Sequence, residues 1–210
     1  MTWIDISQPL TGEIGHWPGD TPFEFKLTYT KEETGSVNIG QITTSLHSGT
    51  HVDAPFHFDD EGKTIEDLPL DIFIGTALVF DASHANPISI ETLRELDFSS
   101  FDQLLLKTSL PNKPERFPET IPEIDPEIAR FLREKGVKLL GVDMPSVDQT
   151  DSKELVTHHA LHQEGIQILE NIMLDQVDQG LYQLIALPLA IVGADGSPVR
   201  AVIKRVKENK

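Results

Sequence analysis

Residues 45–58 read SLHSGTHVDAPFHF and place His47, His51, Asp53 and His57 close together, in a chain of 210 residues with only eight histidines. Imidazole nitrogens and a carboxylate are the donors of a divalent metal site. Gly49, the β-branched Thr50 and Val52, and Pro55 all disfavour a helix here. Ala54 precedes a proline and is pushed towards extended backbone. The stretch is therefore predicted as a strand, in which His47, Gly49, His51 and Asp53 alternate onto one face. Gly49 would leave room for a close approach to the backbone between the two imidazoles. The competing reading is a polar strand face hydrogen-bonded to loops. His57 follows the Pro55 bend and is predicted to lie near the others but off their strand. That place suits a proton-transfer group better than a further ligand.

A second cluster lies downstream. His158, His159 and His162 fall on a predicted helix, with His158 and His162 one turn apart and His159 about 100° away from His158. His162 reads as a surface residue near the helix C-terminus. Glu170 is embedded in the apolar run IQILEN. It is either buried, and then in need of a cation, or solvated at a strand end. The pooled donors are His47, His51, Asp53, one of His158 and His159, and Glu170. They suffice for two ions if the carboxylates bridge. With nitrogen and oxygen donors and no sulfur, Zn²⁺ leads and Mn²⁺ follows.

These residues need elements to hold them. FEFKLTY (23–29) alternates as a half-buried strand, and NIGQITTSLH (38–47) reads as another. Between them lie turn-rich connections. From residue 75 strands and helices alternate. GTALVFDA is a strand, SIETLREL a helix capped by Ser89, and FDQLLLKTS a strand. IDPEIARFLREKG is a helix with Asp125 as N-cap, Pro126 at its first position and Gly136 at its end. VKLLGVD is a strand. DSKELVTHHALHQEG is a helix opened by an Asp151/Glu154 capping box and closed by Gly165. IQILENI, YQLIALPLAI and VRAVIKRV follow as strands, the last two joined through the turn GADGSP. The pattern predicts an α/β fold with a mixed sheet, organised as a single domain over 1–210.

Composition narrows the function. The formal charge of −17 repels phosphate backbones and anionic lipids, which argues against nucleic acid as a partner. The chain has no cysteine, which removes disulfides, thiolate nucleophiles and sulfur-ligated zinc. No secretory signal and no membrane-length apolar run is visible, so a cytoplasmic location is expected, with no membrane partner. Gly-x-Ser-x-Gly is absent, so a serine hydrolase of the nucleophile-elbow type is not expected.

HSGTHVDAPFH is similar to the His-x-Gly-Thr-His-x-Asp-x-Pro-x-His signature of the metal-dependent cyclase-like hydrolases. The resemblance extends through WIDISQPL, WPGDTPF, GVDMPSVD, HHALHQEGIQILEN and LIALPLAIVGADGSPVRAVI, and the second and last of these favour the formamidase branch. It implies a compact swivelling β/β/α fold with a barrel-like core and flanking helices, and a homodimer. It also implies hydrolysis of the aryl formamide N-formyl-L-kynurenine to L-kynurenine and formate, a step of tryptophan degradation. By resemblance, His47, His51 and Asp53 would hold one metal, and Asp53, His158 and Glu170 a second, with Glu170 bridging. His57 would be the proton donor and acceptor, and Trp17 would contact the substrate. On the residues alone, Trp17 beside Pro18 and Gly19 could equally close the core under its loop. The rival readings are an isatin-hydrolase-like cyclic amidase of the same superfamily and a non-catalytic metal-binding protein.

Overall fold

The structure is a computed structural model that describes residues 2–207. In chain order the strands are β1 (Ile4–Asp5), β2 (Glu24–Tyr29), β3 (Ile39–Thr43), β4 (His51–Asp53), β5 (Ile74–Asp81), β6 (Gln103–Lys107), β7 (Leu139–Val142), β8 (Gln167–Glu170), β9 (Gly180–Ile185), β10 (Gly196–Pro198) and β11 (Val202–Arg205). The helices are α1 (Lys31–Thr34), α2 (Ile90–Leu93), α3 (Ile128–Glu134) and α4 (Val156–Gln163). Nine strands form one mixed sheet in the order β1-β11-β9-β5-β6-β7-β8-β4-β10, and β2 and β3 form a separate ribbon. The run β5-β6-β7-β8 is parallel, and every other pairing is antiparallel.

Alternation along the parallel strands sets the two faces. Leu105, Leu139 and Leu169 join Phe73, Tyr182, Leu184 and Ile203 in the core inside the sheet. Leu104, Leu106, Leu140 and Ile168 point the other way, into a second core with Leu132 of α3 and Leu161 of α4. Strands buried on both faces read as continuous apolar runs, as LLLK and LLGV do. The sheet also curls. Ser7, just past β1, bridges to Ile172, just past β8, and the Met173 N–H donates to the Ile6 carbonyl at 2.7 Å. Contacts between segments that flank distant strands roll the sheet into a half-barrel, which is the α/β, barrel-like architecture expected.

Several local expectations are corrected. The strand predicted to run through His47 is confined to β4; residues 44–50 form a turn with Gly49 at φ +64°. A Cβ on Gly49 would sit 2.7 Å from Leu10 Cδ2, so this glycine serves the turn and its packing rather than access to the backbone. Only His51 and Asp53 share a strand face; His47 arrives by the turn. The β2 residues form a strand but are exposed on both faces, because the β2–β3 ribbon stands off the main sheet. Asp125 caps a turn one step ahead of α3, accepting from the Glu127 N–H at 2.9 Å, and α3 itself begins at Ile128. The Asp151/Glu154 box does not form: α4 starts at Val156, behind Leu155 in left-handed backbone at φ 45°. Its first N–H groups are capped from a distance by Asp148, which accepts from Thr157 and His158 at 3.0 Å each. The predicted turn GADGSP contains β10, paired with β4. No helix among the described residues is long and apolar enough to cross a membrane.

Candidate metal centre

The centre is built where β4 and β8 pair. Val52 and Leu169 point into the inner core. The neighbours His51, Asp53 and Glu170 therefore point to the opposite face, beneath α4. The antiparallel register sets His51 directly opposite Glu170. From the first turn of α4, His158 Nε2 reaches to 3.6 Å from Asp53 Oδ2 and 3.7 Å from Glu170 Oε1. His47 enters from its turn, with Nδ1 2.9 Å from Asp53 Oδ1. Potential ligand atoms among the described residues fall into three triplets, His47/His51/Asp53, Asp53/His158/Glu170 and His47/His57/Asp195, each with its atoms within 4.8 Å of one another. Asp53 belongs to the first two. His51, Asp53, His158 and Glu170 are all buried.

The hydrogen bonds around these groups fix which atoms face inward. His51 Nδ1–H donates to the Gly49 carbonyl at 2.8 Å, and His158 Nδ1–H to Asp148 Oδ2 at 2.6 Å. Both rings so present Nε2 to the carboxylates, as metal-ligating histidines do when an outer partner holds the other nitrogen. His51 Nε2 and Asp53 Oδ2 are buried and have no hydrogen-bond partner among the described residues. Buried polar atoms left unpaired are costly and rare. A divalent cation satisfies both at once, and the all nitrogen-and-oxygen donor set suits one. Among the described residues the Glu170 carboxylate accepts one hydrogen bond, from the Val147 N–H at 3.0 Å to Oε1, and the Gln167 side-chain amide fastens the Asp53 carbonyl.

The charges tell the same story. Burial by itself would lower the imidazole pKa values, but the neighbouring carboxylates outweigh it. Asp195 and Asp53 raise His47 to about 9, Asp53 and Glu170 raise His51 to about 10, and Asp148 and Asp53 raise His158 to about 10. Burial works against ionisation of Asp53, yet the His158, His47 and His51 imidazoles around it hold it well below the usual carboxylate range. Glu170 is pushed up, first by burial and then by the Asp53 charge. The cluster lacks positive charge, and protons compete with a cation for the same lone pairs.

His57 follows β4 on a short turn, Pro55–His57, and its ring stacks 3.9 Å from that of His47. Its pKa is lowered by burial and then by the neighbouring His47 charge, which favours the neutral ring. Asp195 joins the two imidazoles: its Oδ2 lies 3.1 Å from His47 Nε2 and 3.4 Å from His57 Nδ1. The hydrogen bond from His47 lowers Asp195 to about 2. A pocket of about 250 Å³ opens beside these groups, lined also by Trp17, Ser146, Gln149 and Leu155. Trp17 lies against Phe117, ring centroids 4.8 Å apart, with its side chain half-buried at the pocket wall. Of the helix histidines, only His158 reaches the cluster; His159 packs against Phe58, and His162 is part-exposed near Asp59.

Three contributors were not foreseen. Asp148 and Asp195 are distant in sequence from the histidines they hold. Gly196 clears space: a Cβ there would lie 2.9 Å from His47 Cε1. The signals were the acid ending GVDMPSVD, a segment of the family resemblance with no role given to its last aspartate, and the Asp-Gly pair in GADGSP, read as turn residues.

Residues 4–149 match the family model described as putative cyclase. The chain is 54% identical over 202 residues to a protein of Bacillus cytotoxicus named kynurenine formamidase, covering 96% of this chain and 97% of that one. A protein of the same name from Bacillus cereus is 53% identical over 204 residues, covering 97% and 98%. Among solved structures, a potential metal-dependent hydrolase with cyclase activity superposes with TM-score 0.81 at 28% identity, covering 96% of each chain. Isatin hydrolase A from Labrenzia aggregata shares the fold at TM-score 0.81 and 22% identity, covering 98% of this chain and 94% of that one.

Proposed function

The chain belongs to the putative cyclase family, and from that premise we propose that it is a metal-dependent arylformamidase that hydrolyses N-formyl-L-kynurenine to L-kynurenine and formate. The relatives at 52–54% identity over nearly the whole chain carry that activity in their names. The observation that carries the reading is the pair of orphaned buried atoms, His51 Nε2 and Asp53 Oδ2, set beside an open pocket.

His47, His51 and Asp53 would hold one ion, and Asp53, His158 and Glu170 a second, Asp53 belonging to both groups of donors; Zn²⁺ is the first candidate and Mn²⁺ the next. When bound, a divalent cation lowers the pKa of water towards about 7 and polarises the formyl oxygen. The rest falls to the protein's own groups. His57, neutral and off the ligand set, takes a proton from the attacking water and returns it to the aryl-amine nitrogen, which leaves poorly until protonated. Asp195 orients that ring through Nδ1, leaving Nε2 to face the reacting atoms. Trp17 offers an aromatic face to the aryl group. Asp148 keeps His158 in the tautomer that presents Nε2 inward.

The assembly we propose is a homodimer. The β2–β3 ribbon exposes Phe25, Leu27, Tyr29, Ile39 and Ile42, an apolar surface that a second copy would cover. The test of function is formate release from N-formyl-L-kynurenine by purified protein of known metal content, with isatin as the parallel substrate. Formate release that requires metal supports the reading. Turnover of isatin alone would move the chain to the cyclic-amidase reading, and turnover of neither would remove the catalytic proposal.

A further inference from the structure

A second cavity, of about 290 Å³, adjoins the metal pocket without sharing a lining residue with it. Adjacent residues divide the two: Pro145 lines the cavity and Ser146 the metal pocket, Asn171 the cavity and Glu170 the metal pocket. The cavity opens at the carboxyl ends of three parallel strands. Asn112 and Lys113 follow β6, Asp143 follows β7, and Asn171 follows β8. Ligands of open parallel sheets bind in the crevice outside those ends. Its size is near the lower bound of small-molecule pockets, about 300 Å³.

Its chemistry is mixed in a specific way. Lys113 and Arg116 stand exposed at its wall, and neither forms an ion pair among the described residues. Also lining it is Asp143, 2% exposed, whose carboxylate accepts, among the described residues, only from Thr108, through the backbone N–H at 3.1 Å and the hydroxyl at 2.7 Å. Burial pushes this carboxyl up to about 7. Asn171 adopts φ 57°, a left-handed conformation that costs a non-glycine residue energy and recurs at ligand sites. Its carbonyl accepts from Thr50 Oγ1 at 2.6 Å and its N–H donates to the Met144 carbonyl at 2.8 Å, which holds it there.

We infer that this cavity binds the zwitterionic α-amino-acid group of a small molecule, its carboxylate against Lys113 and Arg116 and its ammonium against Asp143. The loop that carries both cations is fastened to the Trp17 loop, by the Gly15 N–H donating to the Pro114 carbonyl at 2.7 Å and by Phe117 against Trp17. A ligand held here therefore lies next to the wall of the metal pocket. The group has two sources: the amino-acid end of the substrate, which rests on the formamidase reading, or a free amino acid, which does not.

Two measurements on metal-loaded wild type, Arg116→Gln and Lys113→Gln test it. Both side chains are exposed, so the variants keep their fold. The first is the ratio of kcat/KM for N-formyl-L-kynurenine to that for 2′-formamidoacetophenone, the same aryl formamide without the amino-acid group. The second is calorimetric titration with L-kynurenine. A fall of about tenfold or more in the ratio in each variant supports the cavity as the site for the substrate's head group. An unchanged ratio with L-kynurenine binding weakened about tenfold or more supports it as a separate amino-acid site. If ratio and binding both stay at the wild-type level, the inference is overturned. If wild type releases formate from neither compound, the formamidase reading falls, and the titration alone decides the cavity.

Discussion

His51 and Glu170 face each other across the β4–β8 pair, Nε2 to Oε2 at 3.3 Å, with no hydrogen bond to His51 Nε2. A buried imidazole nitrogen left unpaired and held at this distance from a buried carboxylate has room and reason for a cation between the two.

Metal removal should therefore destabilise the fold as well as abolish activity. A ligand that binds only the folded state stabilises it by about 2.7 kcal/mol at a hundredfold excess over Kd. For a chain of this size each kcal/mol moves Tm by about 2–4 °C. A Tm rise on adding Zn²⁺ to chelated protein of about 5–10 °C is expected at that excess. His51→Ala should abolish both the rise and the bound metal. A melting curve indifferent to chelator and to added Zn²⁺ contradicts the centre.

His57→Ala should lower kcat by about 10²–10⁴ while metal per chain stays at the wild-type value. The control matters because His57, His47 and Asp195 also form a compact triplet of donors. Elemental analysis showing metal lost from the variant would make His57 a ligand. Asp195→Asn should lower kcat by about 10–100-fold, the usual effect of removing an outer partner.

Gly196→Ala should act on His47 without touching any donor. The added methyl would sit 2.9 Å from His47 Cε1 and 3.0 Å from the Val52 carbonyl oxygen. The ring must shift, so metal affinity should fall while far-UV circular dichroism remains that of the wild type. Unchanged metal affinity would show that the His47 position tolerates the displacement.

Asp143 should make stability fall with pH in a defined window. Its folded pKa of about 7 lies above its ordinary value of 3.8, so the folded state binds the proton more tightly than the unfolded state. Stability from this group is complete below about pH 4 and is lost as pH rises through about 7. The raised histidines begin to lose theirs only above pH 6.5, but raised Glu170 and lowered His57 also titrate between about 4 and 6.5, so the share of Asp143 is the difference in slope between wild type and Asp143→Asn over that interval. Asp143→Asn should flatten the decline of Tm across that interval; a variant with the wild-type slope would contradict it.

Much of the site was legible because its donors are local in sequence. His51 and Asp53 share a face by the two-residue period of a strand, and Glu170 declared itself as an acid among apolar neighbours. The sheet strands from residue 74 onward were readable for the same reason, since buried parallel strands are continuous apolar runs. The errors fell where a single residue type has two uses. Gly49 was read as an opening in a strand and is instead a left-handed turn under Leu10. Asp151 and Glu154 had the spacing of a capping box, but the helix takes its cap from Asp148.

By itself, then, the sequence determined the donor types, the absence of sulfur, the strand that aligns His51 with Asp53, and the alternation of strands and helices that encloses them. Tertiary structure alone decided which helix histidine reaches the cluster, that Asp195 ties His47 to His57, and that a second cavity opens beside the first. The physical reason is reach. A strand's alternation is fixed by bonds between neighbouring residues, whereas the meeting of Asp195 with His57, or of Asp148 with His158, depends on how the curled sheet and α4 pack.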